Sequence, residues 1–105
     1  NMNGAYFEAW CIAEILKSYW NNGEEPPVFL YRDRDKHEID LLIEKDGCIY
    51  PVEFKKAANI KKDDIKNFAI LQKEKLKIGM GALVSMYESD MLIKEDCRNV
   101  YAGSL

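Results

Sequence analysis

Asp46-Gly47 stands between two runs of strand-forming residues, Glu-Ile-Asp-Leu-Leu-Ile-Glu-Lys (38–45) and Cys-Ile-Tyr-Pro-Val-Glu-Phe-Lys (48–55). An Asp-Gly pair in that setting is a strong signal for a two-residue hairpin turn, and such a turn fixes the register of everything before and after it. Lys45 then faces Cys48, and counting outward sets Asp40 across from Glu53. That position is a non-hydrogen-bonded pair, where Cβ atoms approach to roughly 4.5–5.5 Å and like charges are unfavourable. At an effective dielectric near 20, two unit charges about 5 Å apart repel by about 3 kcal/mol. A hard divalent cation such as Mg²⁺ or Mn²⁺ turns that repulsion into coordination. A three-residue loop over Lys45-Asp46-Gly47 is the alternative, and it would slip the pairing by one and separate the two acids.

Strand alternation predicts Glu38, Asp40, Leu42 and Glu44 on one face of the first run and Ile39, Leu41 and Ile43 on the other. In the second run Glu53 and Lys55 share a face, with Val52 and Phe54 opposite. The segment Gly4–Trp20 is dense in helix formers and apolar residues, among them Phe7, Trp10, Ile12, Ile15 and Trp20, and predicts a helix mostly enclosed by protein. Glu8 lies inside its apolar stripe, between the directions of Cys11 and Ile12 and nearly above Ile15. A carboxylate placed there is desolvated and needs a partner. If the helix crosses the sheet, Glu8 reaches the Asp40 and Glu53 pair. The resulting set suits phosphodiester hydrolysis: Asp40 and Glu53 hold Mg²⁺ or Mn²⁺, Glu8 acts directly or through water, and Lys55 orients the attacking water or stabilises charge on the phosphate.

The remaining chain fills out an α/β domain. Val28–Arg32 has strand character, Asp63 is placed to cap a helix running to about Leu76 with Ile65, Phe68, Ala69, Leu71 and Leu76 facing inward, and Ala82–Met86 fits a strand buried on both faces. Tyr87 onward is polar and irregular, with a short strand at Asn99–Tyr101. The order helix, three strands, helix, strand gives a mixed sheet flanked by helices. All 105 residues are read as one domain. Asn1 ahead of Met2 reads as a cloning remnant, with residues 1–3 partly foreign or disordered and the domain a fragment of a longer chain.

No run of eighteen apolar residues and no signal-like leader is present, so the expectation is a cytoplasmic protein without a membrane span. Cys11, Cys48 and Cys97 are odd in number and widely spaced, as expected of small buried hydrophobes. The net charge of −3 hides an asymmetry: between Lys55 and Lys77 eight lysines stand against three acids, a local balance of +5. Such a segment suits either a phosphate backbone or a solvated helical face. His37, the only histidine, reads as a polar turn residue, and Arg32 as a surface partner of Asp33 or Asp35.

The pattern of a helical Glu8, a strand Asp40 and then Glu53-Phe54-Lys55 resembles the PD-(D/E)XK, or restriction-endonuclease-like, superfamily. Asp40 follows Ile39 where the superfamily's motif has proline. More narrowly, Gly4-Ala5-Tyr6-Phe7-Glu8, Tyr31-Arg32-Asp33, Glu38-Ile39-Asp40-Leu41 and Pro51-Val52-Glu53-Phe54-Lys55 look like the C-terminal domain that follows an AAA-type ATPase module in many bacterial and archaeal proteins. The resemblance spans Gly4 to about Tyr101. It implies an αβββαβ core, a divalent metal at the acids with the Phe54 carbonyl as a further ligand, an upstream ATPase module, and nucleic acid as substrate. No Gly-x4-Gly-Lys-Ser/Thr motif is present in the chain. The alternative expectation is a catalytically silent domain that docks DNA or partners or forms a homodimer, motivated by the aromatic-rich first helix.

Overall fold

The computed structural model describes residues 3–105. Asn1 and Met2 lie outside the described residues. Helix α1 (Gly4–Asn21) starts at Asn3, whose side chain accepts a hydrogen bond from the Tyr6 N–H at 2.8 Å and so satisfies one of the free donors of the first turn. Seven strands follow: β1 (Val28–Arg32), β2 (Glu38–Lys45), β3 (Cys48–Lys55), β4 (Lys77–Ile78), β5 (Gly81–Ser85), β6 (Leu92–Lys94) and β7 (Cys97–Tyr101). Between β3 and β4 the chain makes a 3₁₀ segment, Lys62–Lys73.

The sheet is mixed, with strand order β1-β2-β3-β5-β7-β6 and the two-residue β4 alongside the start of β3. Strands β1 to β3 run antiparallel, β3, β5 and β7 run parallel, and β6 returns antiparallel on the edge. The β2–β3 hairpin has the register counted from Asp46-Gly47: Lys45 pairs with Cys48, and the ladder continues to Leu41 opposite Val52. Both turn residues are left-handed, with φ of 53° at Asp46 and 78° at Gly47, as a type I′ turn requires. The three-residue alternative is therefore not adopted.

Helix α1 covers one face of the sheet. Phe7 and Cys11 pack there with Leu41, Val52, Val84 and Ala102. The 3₁₀ segment covers the other face through two clusters, Ile39, Leu42, Ile49 and Leu71 in one and Ile65, Leu83 and Cys97 in the other. Fully burying side chains of this size contributes about 1.5–3 kcal/mol each, so the layers on both faces are what hold the central strands in place. The three cysteines are free and buried, as expected, and burial first of all pushes the Cys11 and Cys97 thiols up to about 11.

Several expectations are corrected. The second helix is 3₁₀ rather than α, and Asp64 rather than Asp63 meets its start, accepting from the Lys61 N–H at 2.9 Å. The segment is kinked at Ile65 (φ −115°, ψ 17°), and its buried Ile65 and Leu71, with Phe68 packed between them, recur every third residue and face the sheet. Ala69 and Leu76 are exposed, and Ile70 packs inward instead. Alternation along β2 also breaks. Leu41 and Ile43 lie under α1, but Ile39 packs with Leu42 and Leu71 on the opposite face. Helix α1 is not enclosed, because one sheet face buries only one stripe: Tyr6 is 66% exposed and Trp20 55%. The region after Tyr87 is more regular than expected. It holds β6 and a five-residue β7, whose buried Asn99 donates to the carbonyls of Tyr87 and Ser89 and shares a 2.5 Å hydrogen bond with Ser85 Oγ.

Candidate active site

Three acids from three elements converge where β2 and β3 part. Glu8 comes from the half-buried flank of α1, beside Phe7 and Cys11, as the helical stripe predicts. Asp40 sits one step beyond the last position at which β2 pairs with β3, Leu41 opposite Val52, at the point where alternation breaks. Its Oδ2 accepts a hydrogen bond from the Phe54 N–H at 2.9 Å, so the side chain occupies the gap between the strands. Glu53 lies opposite, with Oε1 at 3.4 Å from the Asp40 N–H. The loss of alternation at Asp40 is what lets one cluster draw on α1 from one side of the sheet and on the face of Glu53 from the other.

The electrostatic state of this cluster is unusual. Burial, then the charge of Asp40, pushes Glu53 up to about 8, and the same two causes push Glu8 up to about 7. In each case a hydrogen bond from the protonated acid to Asp40 adds to the effect. Among the described residues no lysine, arginine or histidine lies within 4.0 Å of Glu8, Asp40 or Glu53. Partly buried carboxyl groups set this close, with no basic side chain paired to them, resist ionising together.

Lys55, expected to share their surface, extends from the same face of β3 as Glu53 but is engaged elsewhere. Its Nζ donates to Asp64 Oδ2 at 2.8 Å and to the Asn59 carbonyl at 2.7 Å. Both side chains of this ion pair are largely covered, 22% and 15% exposed. The cross-strand Lys55–Glu38 pair that register alone allows is not formed; Glu38 lies 3.6 Å from Arg32, which therefore does not pair with Asp33 or Asp35. Phe54 contributes its N–H to Asp40 and its ring to the α1 side of the core. Asn59 and Asp64 are the residues that sequence reasoning missed. The signal available for Asp64 was its position at the start of a helical segment, which marks a cap but not a lysine nine residues earlier.

A second acidic group occupies the β1–β2 turn, where ligand atoms of Asp33, Asp35 and His37 lie within 4.8 Å of one another. Asp33 is already satisfied. It accepts from the backbone N–H groups of Asp35 and His37, both at 2.9 Å, and from Lys73 Nζ at 2.8 Å, with His37 Nδ1 at 3.1 Å. The Lys73 hydrogen bond above all holds its carboxyl far below the usual range. His37 is thus the turn residue the sequence suggested. A cleft of about 660 Å³ lies between the 3₁₀ segment and the start of β5, on a floor of Pro51, Ile65 and Phe68. It shares no residue with the Glu8, Asp40 and Glu53 cluster, and its rim includes the exposed Asp63–Lys66 pair at 3.8 Å.

The profile of a family described as "Domain of unknown function (DUF4143)" matches residues 3–103. The chain belongs to the DUF4143 family. No curated protein and no solved structure matches it. Within this DUF4143 domain no described helix is long and apolar enough to cross a membrane.

All three side chains offer carboxylate oxygens, the donor type that hard divalent cations take, and among the described residues no basic side chain pairs with them. Unlike Asp33, Asp35 and His37, they do not bring three ligand atoms within 4.8 Å of one another. Mg²⁺ and Mn²⁺ favour such oxygen sites, whereas the thiols that would favour softer metals are buried elsewhere.

Proposed function

We propose that this DUF4143 domain is a restriction-endonuclease-like, PD-(D/E)XK nuclease module that hydrolyses nucleic-acid phosphodiesters with Mg²⁺ or Mn²⁺, as the C-terminal part of an AAA-type ATPase. The observation that carries the proposal is the convergence of Glu8, Asp40 and Glu53 without a cation within 4.0 Å among the described residues. Asp40 and Glu53 would hold the ion, with Glu8 and the Phe54 carbonyl completing its protein ligands. When bound, the ion supplies charge neutralisation for the three acids, polarisation of a phosphoryl oxygen and acidification of water. The chain's own contribution is placement. The Phe54 N–H fixes the Asp40 carboxylate, the β2–β3 register brings Glu53 beside it, and the α1 stripe presents Glu8 from a separate layer.

The lysines after β3 supply the second requirement of a polyanionic substrate. Lys56, Lys61 and Lys62 are exposed around the loop that holds Lys55. They offer phosphate contacts without base readout, so binding is expected to depend on salt rather than sequence. A second use as a docking or dimerisation surface is favoured by the exposed aromatic side of α1, Tyr6, Trp10 and Trp20.

Incubation with single-stranded and duplex DNA and RNA in Mn²⁺ tests the nuclease reading. Cleavage is expected that Asp40→Asn reduces by more than about 100-fold, beyond the 10–100-fold typical of losing an outer partner of a metal site. Product formation unchanged by Asp40→Asn contradicts it.

A further inference from the structure

The ammonium of Lys55 has two anionic destinations. Glu53 is two residues earlier on the same strand and the same face, so the Cβ atoms are separated by about 7 Å, well within reach of a lysine side chain. Asp64 lies on the 3₁₀ segment. The structure shows Lys55 on Asp64, and among the described residues Glu53 has no basic partner within 4.0 Å. The preference is built in twice over. The Asn59 carbonyl takes a second N–H of the ammonium at 2.7 Å, and Asp64 is itself anchored by the Lys61 N–H at 2.9 Å through its Oδ2. The whole arrangement is local: a bend after β3 carries Asn59, Lys61 and Asp64 back over the end of the strand from which Lys55 projects.

We propose that Asp64 is a positioning residue that sequesters the Lys55 ammonium away from Glu53, and so keeps the carboxylate cluster open to a divalent cation. The inference rests on the metal site proposed above. An ammonium and a dication compete for the same carboxylate. Were Lys55 to settle on Glu53, it would neutralise part of the charge the cation requires and place a positive charge beside the ion. Asp64 prevents this by offering a better-anchored partner. Held on Asp64 and Asn59, the ammonium still has one N–H uncommitted to either of them.

Manganese affinity, measured by calorimetry on the unsubstituted chain, on Asp64→Asn, on Lys55→Met and on the double variant, tests the proposal without an activity readout. The unsubstituted chain and Lys55→Met are expected to bind Mn²⁺. Asp64→Asn is expected to bind at least about tenfold more weakly, as Coulomb energies at these separations allow. The double variant is expected to regain the affinity of Lys55→Met, because no ammonium is then left to occupy Glu53. A purely structural loss at the start of the 3₁₀ segment would not be rescued by removing Lys55. Equal affinity in Asp64→Asn and the unsubstituted chain overturns the inference and leaves the metal site standing, as does a weak double variant beside a tightly binding Lys55→Met. No binding by the unsubstituted chain overturns the metal site, and this inference with it.

Discussion

Asp33 and Asp40 lie close together in the chain, at the two sides of the start of β2, and stand in opposite surroundings, one beside an ammonium and one beside two carboxyl groups. The Asp33 side chain is 4% exposed, yet it accepts hydrogen bonds from Lys73, from two backbone N–H groups and from the His37 ring, and these favour its charge over burial. Asp40 receives one backbone N–H and faces two further carboxylates, which burial and its own charge push up to about 7 and about 8. Both clusters are acidic and both join elements. The first links the β1–β2 turn to the end of the 3₁₀ segment through Lys73; the second links β2 to β3 through the Phe54 N–H but sets carboxyl groups against one another. The comparison teaches that a compact acidic cluster need not be short of positive charge: the tighter group is the one already met by an ammonium.

Substitutions sharpen this contrast. The largest effect is expected from Asp33→Ala, which orphans the N–H groups of Asp35 and His37 and releases Lys73; the urea midpoint near neutral pH should fall, and shift further than it does for Glu53→Gln or Asp63→Ala. An unchanged midpoint would mean that this cluster does not brace the fold. Glu53→Gln should act in the opposite direction. It removes a charge the fold disfavours, and without divalent metal at pH 8 it is expected to stabilise by on the order of 2 kcal/mol, discounted from the full shift because the group is partly open to solvent. Destabilisation by Glu53→Gln would mean the acids are not in conflict. The smallest effect belongs to Asp63→Ala at the exposed Lys66 pair, expected within about 0.5 kcal/mol in denaturant unfolding, which serves as the reference for an acid that neither braces nor strains.

The two clusters also titrate in separate windows with opposite sign. The folded pKa of Asp33 is depressed, so its contribution is present above its unfolded value near 3.8 and is lost as pH falls through the acid range. For Glu8 and Glu53 the folded values are raised above 4.5. The fold binds those protons more tightly than the unfolded chain, so their contribution is present below pH 4.5 and is lost as pH rises toward 7 and 8.

Much of the site was legible because it rests on short-range rules. Asp46-Gly47 set the β2–β3 register by local turn geometry, and the helical stripe placed Glu8 on the sheet side of α1. The unread parts depend on distant partners or on a change of period. Lys73 meets Asp33 across 40 residues, which no local pattern encodes. Lys55 turned to Asp64 because the segment after β3 wound as 3₁₀ and brought its first turn back over the strand end; the three-residue spacing of Ile65, Phe68 and Leu71 carried that information. Ile39 changed faces where β2 parts from β3, a tertiary effect that strict alternation cannot register. The aromatic side of α1 was visible in composition, but its exposure follows from the number of layers rather than from the helix itself.

The central claim, that Glu8, Asp40 and Glu53 repel one another until a dication joins them, is tested most directly by the urea midpoint of the unsubstituted chain between pH 4.5 and pH 8, with and without Mn²⁺. Without metal, stability is expected to fall as pH rises across that range, and Mn²⁺ is expected to cancel the fall by binding the ionised trio in the folded state. A midpoint that holds level or climbs toward pH 8 and ignores Mn²⁺ would contradict it.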